Sequence, residues 1–240
     1  MKRYRAVIFD LFYTLVYDEG TGAREKAIEV AEAAGIARED WLRGWRIAGD
    51  EAARGNPGTT RGRVRRALVE TGYQGGGEQL ADELTGLLFA RHIPRLYPDT
   101  RGTLAELRTR GYRLGLLSNC FGNETHWLEE FELDSYFDAM VFSCEVGMVK
   151  PEPYIYRLAA ERLGVRAQNC VFVDDVPTYV AAAKLAGMST VRINRFGSEE
   201  PYGEDEPVQV APDLSIDNLG QLLEWLPARA GEPLPREGLG

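Results

Sequence analysis

The sequence is short of cysteine, of histidine and of positive charge. Cys120, Cys144 and Cys170 are the only cysteines among 240 residues. They are too few and too widely spaced for a zinc knuckle or a disulfide framework, and they read as reduced and mostly buried. Lys and Arg total 28 against 37 Asp and Glu, a formal charge of -9. That balance opposes binding to nucleic acid, whose phosphates need basic partners, and leaves room only for a local basic pocket that holds one phosphate. No apolar run approaches the roughly 18 residues that cross a bilayer, so no membrane span is expected. The opening MKRYRAVIFD enters a strand-like pattern without the apolar region of a signal peptide, which implies a cytoplasmic chain. The two histidines, His92 and His126, stand apart from every polar cluster discussed below and read as surface or packing residues.

What is present is an alternation of elements. Residues 4–9 (YRAVIF) form a short run of β-favouring apolar residues that stops at Asp10, the pattern of a buried strand ending at a polar site. YRLGLLSN at 112–119, AMVF at 139–142 and NCVFVDD at 169–175 read the same way, and STVRI at 189–193 is a further short strand. Segments with helical period, such as TRGTLAELRTRG and PEPYIYRLAAERLG, separate them, and Gly187 sits where a helix C-terminal glycine belongs. Strand alternating with helix implies an α/β fold with a parallel sheet.

Between the first two strands, residues 16–90 carry amphipathic stretches at 23–34, 39–54, 60–71 and 78–91 and no strand pattern, which predicts an all-helical cap domain. The core is then residues 1–15 and 91–227. Gly75-Gly76-Gly77 lacks the preceding strand and the spacing of a nucleotide-binding loop and reads as a helix connection. The tail 228–240 is rich in Pro and Gly and is expected to be disordered.

Four strand ends carry polar residues of complementary type: Asp10 with Thr14, Ser118 with Asn119, Lys150 beyond the strand at 139–142, and Asp174 with Asp175. All strand C-termini of a parallel sheet open on one edge, so these residues are expected to meet there. Carboxylates, a hydroxyl and a lysine together suit a metal and a phosphate. Taken singly, each has another use: Ser118, Thr14 or the Asp174-Asp175 pair as helix caps, and Lys150 as a solvated loop charge.

FDLFYTL, LLSN, VKPEP and FVDDVP resemble motifs one to four of the haloacid dehalogenase-like hydrolases, in order, over residues 4–195. The resemblance implies a Rossmann-like core with a helical cap after motif one. It implies that Asp10 attacks phosphorus and forms an aspartyl-phosphate. It further implies Mg²⁺ held by Asp10, the backbone carbonyl of Phe12 and Asp175, with Asp174 acting through water. Lys150, Ser118, Thr14 and the backbone N–H of Asn119 would then neutralise the phosphoryl oxygens of a small phosphorylated substrate.

One position departs from the pattern. Phosphatases of this superfamily usually carry a second aspartate two residues after the nucleophile, as general acid and base, and Phe12 stands there. A phenyl ring transfers no proton, and the phenol of neighbouring Tyr13 is the nearest group that could in principle replace the missing acid. The 2-haloacid dehalogenases also resemble this chain in having an aromatic residue at that place, so dehalogenation is a rival reading. Retention of Asp174 and Asp175 opposes it, because dehalogenases replace that pair with small polar residues. A phosphate-binding protein with little turnover is the third reading. Trp45 and Arg46, with Arg43, are the expected substrate contacts of the cap, although an amphipathic helix bearing WLRGWR accounts for them equally well.

Overall fold

The computed structural model describes residues 4–18, 22–56, 59–75, 77–89, 94–120, 127–196 and 210–228. Its centre is a six-stranded parallel sheet. In chain order the strands are β1 (Ala6–Phe9), β4 (Arg113–Ser118), β5 (Ala139–Phe142), β6 (Cys170–Asp174), β7 (Ser189–Ile193) and β8 (Leu214–Ile216), and their order in space is β5-β4-β1-β6-β7-β8. After β1 the chain moves outward on one side through β4 and β5, then returns to the other side at β6. The edge between β1 and β6 is therefore the point where the winding direction reverses, and ligands bind there in open α/β sheets.

Alternation along the strands feeds two layers of core. Val7, Phe9, Leu114, Leu116, Val171 and Val173 face one side, against Leu104 and Leu107 of the helix Thr100–Thr109 and Leu219 and Leu222 of the helix Leu219–Trp225. Ala6, Ile8, Leu117 and Phe172 face the other, against Ile155, Tyr156 and Ala159 of the helix Pro153–Arg162. Burial on both faces is why these strands read as unbroken apolar runs.

The insertion contains α1 (Ala23–Ala33), α2 (Arg38–Ala53), α3 (Thr60–Glu70) and α4 (Gly77–Phe89). They bury a separate cluster that includes Ala27, Ala31, Trp41, Ala48, Val64, Ala67 and Leu84. One departure from the all-helical expectation is β2 (Val16–Asp18), which pairs antiparallel with β3 (Pro94–Leu96). This two-stranded ribbon is separate from the main sheet and joins the outgoing and returning chains of the insertion. Each of its strands has three residues, too few for an alternating pattern to register. The far end of α2 meets the core. Gly55, at φ +88, lies so close to the Cys144 carbonyl that a Cβ would stand 2.3 Å from that oxygen, and Arg54 pairs with Glu152 at 2.5 Å.

Among the described residues, no helix is long and apolar enough to cross a membrane. His92, His126, Gly76 and residues 229–240 of the tail lie outside the described residues.

Candidate active site

Parallel register carries the distant motifs to one edge. Phe9 is paired with Val173 in β6 and with Leu116 in β4, so Asp10, Asp174 and Ser118 all fall at neighbouring strand ends. The N–H of Asp10 continues the ladder to Val173 O at 2.9 Å. Carboxylate oxygens of Asp10, Asp174 and Asp175 lie within 4.8 Å of one another, and all three residues are buried.

Lys150 bridges two of them. Its Nζ donates to Asp10 Oδ1 at 2.6 Å and to Asp174 Oδ2 at 2.7 Å, with only 1% of its side chain exposed. Asn119 places this lysine: its Nδ2 donates to Lys150 O at 3.0 Å and its Oδ1 accepts Lys150 N–H at 2.8 Å. The second oxygen of Asp174 accepts the N–H of Val176 at 2.8 Å. Both Asp174 oxygens thus have protein partners, which suits a role through water better than direct ligation of a metal.

Three carboxylates beside one ammonium leave two formal negative charges in a buried place, an arrangement that low polarity penalises heavily. Burial pushes Asp10 up to about 7, Lys150 opposing the rise and Asp174 adding to it. Burial likewise pushes Asp174 up to about 6, again opposed by Lys150 and increased by Asp175. Burial disfavours the charged form of Lys150, but Asp10 and Asp174 more than reverse this and hold the ammonium above the usual lysine range. A hard divalent cation with oxygen ligands fits the uncompensated charge.

Two buried hydroxyls at the same edge, Thr14 Oγ1 and Ser118 Oγ, have no hydrogen-bond partner among the described residues. Buried polar atoms are normally paired, so a pair of orphan donors beside a lysine marks a place built for an external acceptor.

The motif-one loop turns tightly. Leu15 and Val16 N–H both reach back to Leu11 O, at 2.9 and 3.0 Å, and Tyr13 adopts φ 58. Tyr13 is half-buried with its ring 5.2 Å from that of Phe196. The Phe12 ring packs against the main core cluster. Trp45 lies inside the cap, stacked on Trp41 at 5.8 Å with the Arg63 guanidinium 3.8 Å from its centroid. Arg46 is exposed, and Arg43 is exposed and paired with Asp40 at 2.6 Å. No hydrogen bond, ion pair or ring contact among the described residues joins these three to the strand-end cluster.

Sequence reasoning missed two supporting residues. Tyr179 lies 3.4 Å from Asn119 Nδ2 through its hydroxyl, and its ring faces the Lys150 ammonium at 4.9 Å. It stands in the first turn of the helix Pro177–Leu185, directly after the acidic pair, and that position is the one signal that could have suggested it. Arg195 is the other. It grips Asp99 with two bonds of 2.8 and 3.0 Å, donates to Thr14 O at 2.9 Å and stacks 3.9 Å from the Tyr97 centroid. Burial pushes Asp99 up, but Arg195 and the Leu219 N–H outweigh that and hold it below the usual carboxylate range. No local signal in the sequence links residues 14, 99 and 195.

Fold and site together define an α/β protein whose parallel sheet gathers three buried carboxylates and a lysine at neighbouring strand ends. Residues 4–187 match the haloacid dehalogenase-like hydrolases, and the chain belongs to that family. It is 33% identical over 187 residues to a phosphoserine phosphatase of Thermus thermophilus, covering 76% of this chain and 71% of the relative. A glyceraldehyde 3-phosphate phosphatase of Methanopyrus kandleri is 36% identical over 132 residues, covering 53% of this chain. An (S)-2-haloacid dehalogenase 4A of Burkholderia cepacia is 36% identical over 109 residues, covering 44% of this chain. The chain spans 55% of the length of the M. kandleri phosphatase and 46% of that of the dehalogenase. The solved phosphatase of this family from Thermococcus onnurineus superposes with a TM-score of 0.64 at 26% identity, covering 94% of this chain and 99% of that one.

Proposed function

We propose that this hydrolase is a Mg²⁺-dependent phosphatase of small phosphate esters in the cytoplasm, with Asp10 as nucleophile. One observation carries the reading: a buried cluster of three carboxylates and Lys150, flanked by the orphan hydroxyls of Thr14 and Ser118. The Asp10 carboxylate attacks phosphorus in line, the ester oxygen departs, and water hydrolyses the aspartyl-phosphate. Lys150 keeps Asp10 oriented and meets the phosphoryl oxygens, to which Thr14, Ser118 and the Asn119 N–H donate. Asp10, Asp175 and the Phe12 carbonyl would hold Mg²⁺, with Asp174 one water removed, and its charge permits two anions to approach. The inserted segment 16–90 acts as a cap over this edge. Cap contacts from Trp45 and Arg46, with Tyr13 from the core, belong to the same reading.

Phe12 and the dehalogenase relative favour a second reading, halide displacement by Asp10 without metal. Asp174 and Asp175 oppose it, since their excess negative charge needs a cation. Release of phosphate from p-nitrophenyl phosphate with Mg²⁺, abolished in Asp10→Asn, is the expected result. Chloride release from 2-chloropropionate in metal-free buffer would instead select the dehalogenase, and activity on neither would leave a phosphate-binding protein.

A further inference from the structure

Cys120 and Cys144 meet at the rim of this site. Parallel pairing aligns Ser118 with Phe142, and two residues further along both chains the sulfurs lie 3.7 Å apart. The backbone between them is tied, since Cys120 N–H donates to Ser143 Oγ at 3.1 Å. Cys120 is buried, whereas Cys144 is partly exposed. Cys170 stands elsewhere, buried at the start of β6. Both members of the pair adjoin working parts. Cys120 follows Asn119, the residue that holds the Lys150 backbone, and the Cys144 carbonyl is the surface on which Gly55 of the cap segment rests.

We propose that Cys120 and Cys144 are a reversible dithiol–disulfide site, oxidised by hydrogen peroxide, whose closure slows the strand-end cluster. The Cys144 thiolate attacks one peroxide oxygen, forming an S–O bond and breaking the O–O bond, and the departing hydroxide takes a proton to become water. Cys120 then attacks the Cys144 sulfur as thiolate, forming the S–S bond and expelling the second hydroxide, which also becomes water. In balance, the two thiols lose two electrons and two protons, and one peroxide becomes two waters. A small thiol reverses the reaction by exchange.

The fold permits the bond. Closing a 3.7 Å contact to about 2.05 Å needs a local approach rather than a new chain path. That approach falls one residue from Asn119 and moves its grip on Lys150. A misplacement of about 1 Å near reacting groups costs up to roughly 10²-fold in rate.

The test is to treat reduced protein with hydrogen peroxide and follow intact mass, the non-reducing digest and turnover of p-nitrophenyl phosphate. The expected result is loss of two hydrogens in mass, a Cys120–Cys144 peptide, and at least a tenfold fall in kcat that dithiothreitol restores. Cys120→Ser and Cys144→Ser should each keep basal turnover and escape the reversible fall, while Cys170→Ser behaves as the parent. Oxygen addition without the cross-link, or a cross-link that leaves kcat unchanged, would overturn the proposal. A reduced parent that hydrolyses no ester overturns the phosphatase reading instead, and the thiol site then stands or falls on the cross-linked peptide.

Discussion

Replacing Asp10, the proposed nucleophile, should make the metal-free protein more stable while abolishing turnover. Asp10 has a folded-state pKa of about 7 against an ordinary 3.8, chiefly because it is buried. A group raised in the folded state contributes stability below its unfolded pKa and loses it as pH climbs through the folded one. Ionised Asp10 therefore costs the folded chain about 4 kcal/mol above pH 7, at about 1.4 kcal/mol per tenfold change in proton affinity. At pH 5 that cost is under about 2 kcal/mol, because the folded carboxyl is still protonated. Asp10→Asn removes the titration but keeps the shape and the Lys150–Asp174 pair. At roughly 2–4 °C per kcal/mol for a chain of this size, the variant should melt on the order of 10 °C above the parent in EDTA at pH 8. The margin should shrink by more than half at pH 5. Added Mg²⁺ should raise the parent and not the variant, by about 2.7 kcal/mol at a hundred times its Kd. Scanning fluorimetry at both pH values, with and without Mg²⁺, gives all these numbers. An Asp10→Asn protein less stable than the parent at pH 8, or an advantage equal at both pH values, would refute the charge argument.

Other expectations follow from the same geometry. Thr14→Val should leave the unfolding free energy within about 1 kcal/mol of the parent's, since its hydroxyl has no partner among the described residues to lose. The same change should lower kcat/KM for a phosphate ester by about 10²-fold, as loss of a transition-state donor does. Asp175→Asn should weaken Mg²⁺ binding at least tenfold in a calorimetric titration, and equal affinity would remove Asp175 from the ligand set. Without a carboxyl at position 12, kcat/KM should fall steeply as the leaving-group pKa of the ester rises, because general acid catalysis supplies about 10²–10⁴-fold. Phe12→Asp should flatten that slope when p-nitrophenyl phosphate is compared with an alkyl phosphate. Arg195→Met should cost about 2–3 kcal/mol by urea unfolding at neutral pH, having stranded Asp99 and freed Thr14 O. Asp99 is held low in the folded parent, so its contribution exists above its unfolded pKa and fades in acid; the Arg195→Met penalty should fade with it.

The main sheet was legible because its strands are buried on both faces, which writes them as apolar runs such as AVIF and VFV that stop at polar residues. The cap helices were legible because each needs one apolar stripe; α1 to α3 fall within a residue of their expected starts. The three-residue strands β2, β3 and β8 carry too few residues for any period and were invisible. Asp10, Asp174 and Lys150 could be placed together by topology alone, as register at a parallel edge is a property of strand order. Arg195, Asp99 and Tyr97 could not, since their pairing depends on how loops after β3 and β7 fold against the motif-one turn. Trp45 shows the opposite limit: a tryptophan on an amphipathic helix reads alike whether it serves a substrate or packs, and only the structure shows it stacked on Trp41 and Arg63.

The claim on which the rest depends is that Asp10 becomes phosphorylated. The direct measurement is to quench the protein in acid during turnover of p-nitrophenyl phosphate with Mg²⁺, reduce with borohydride and sequence the peptides by mass spectrometry. An acyl phosphate is reduced to the alcohol, so a fraction of the peptide spanning residue 10 should carry homoserine there, and none should appear without substrate or Mg²⁺. Steady product release with an unmodified Asp10 peptide at every quench time would contradict the account.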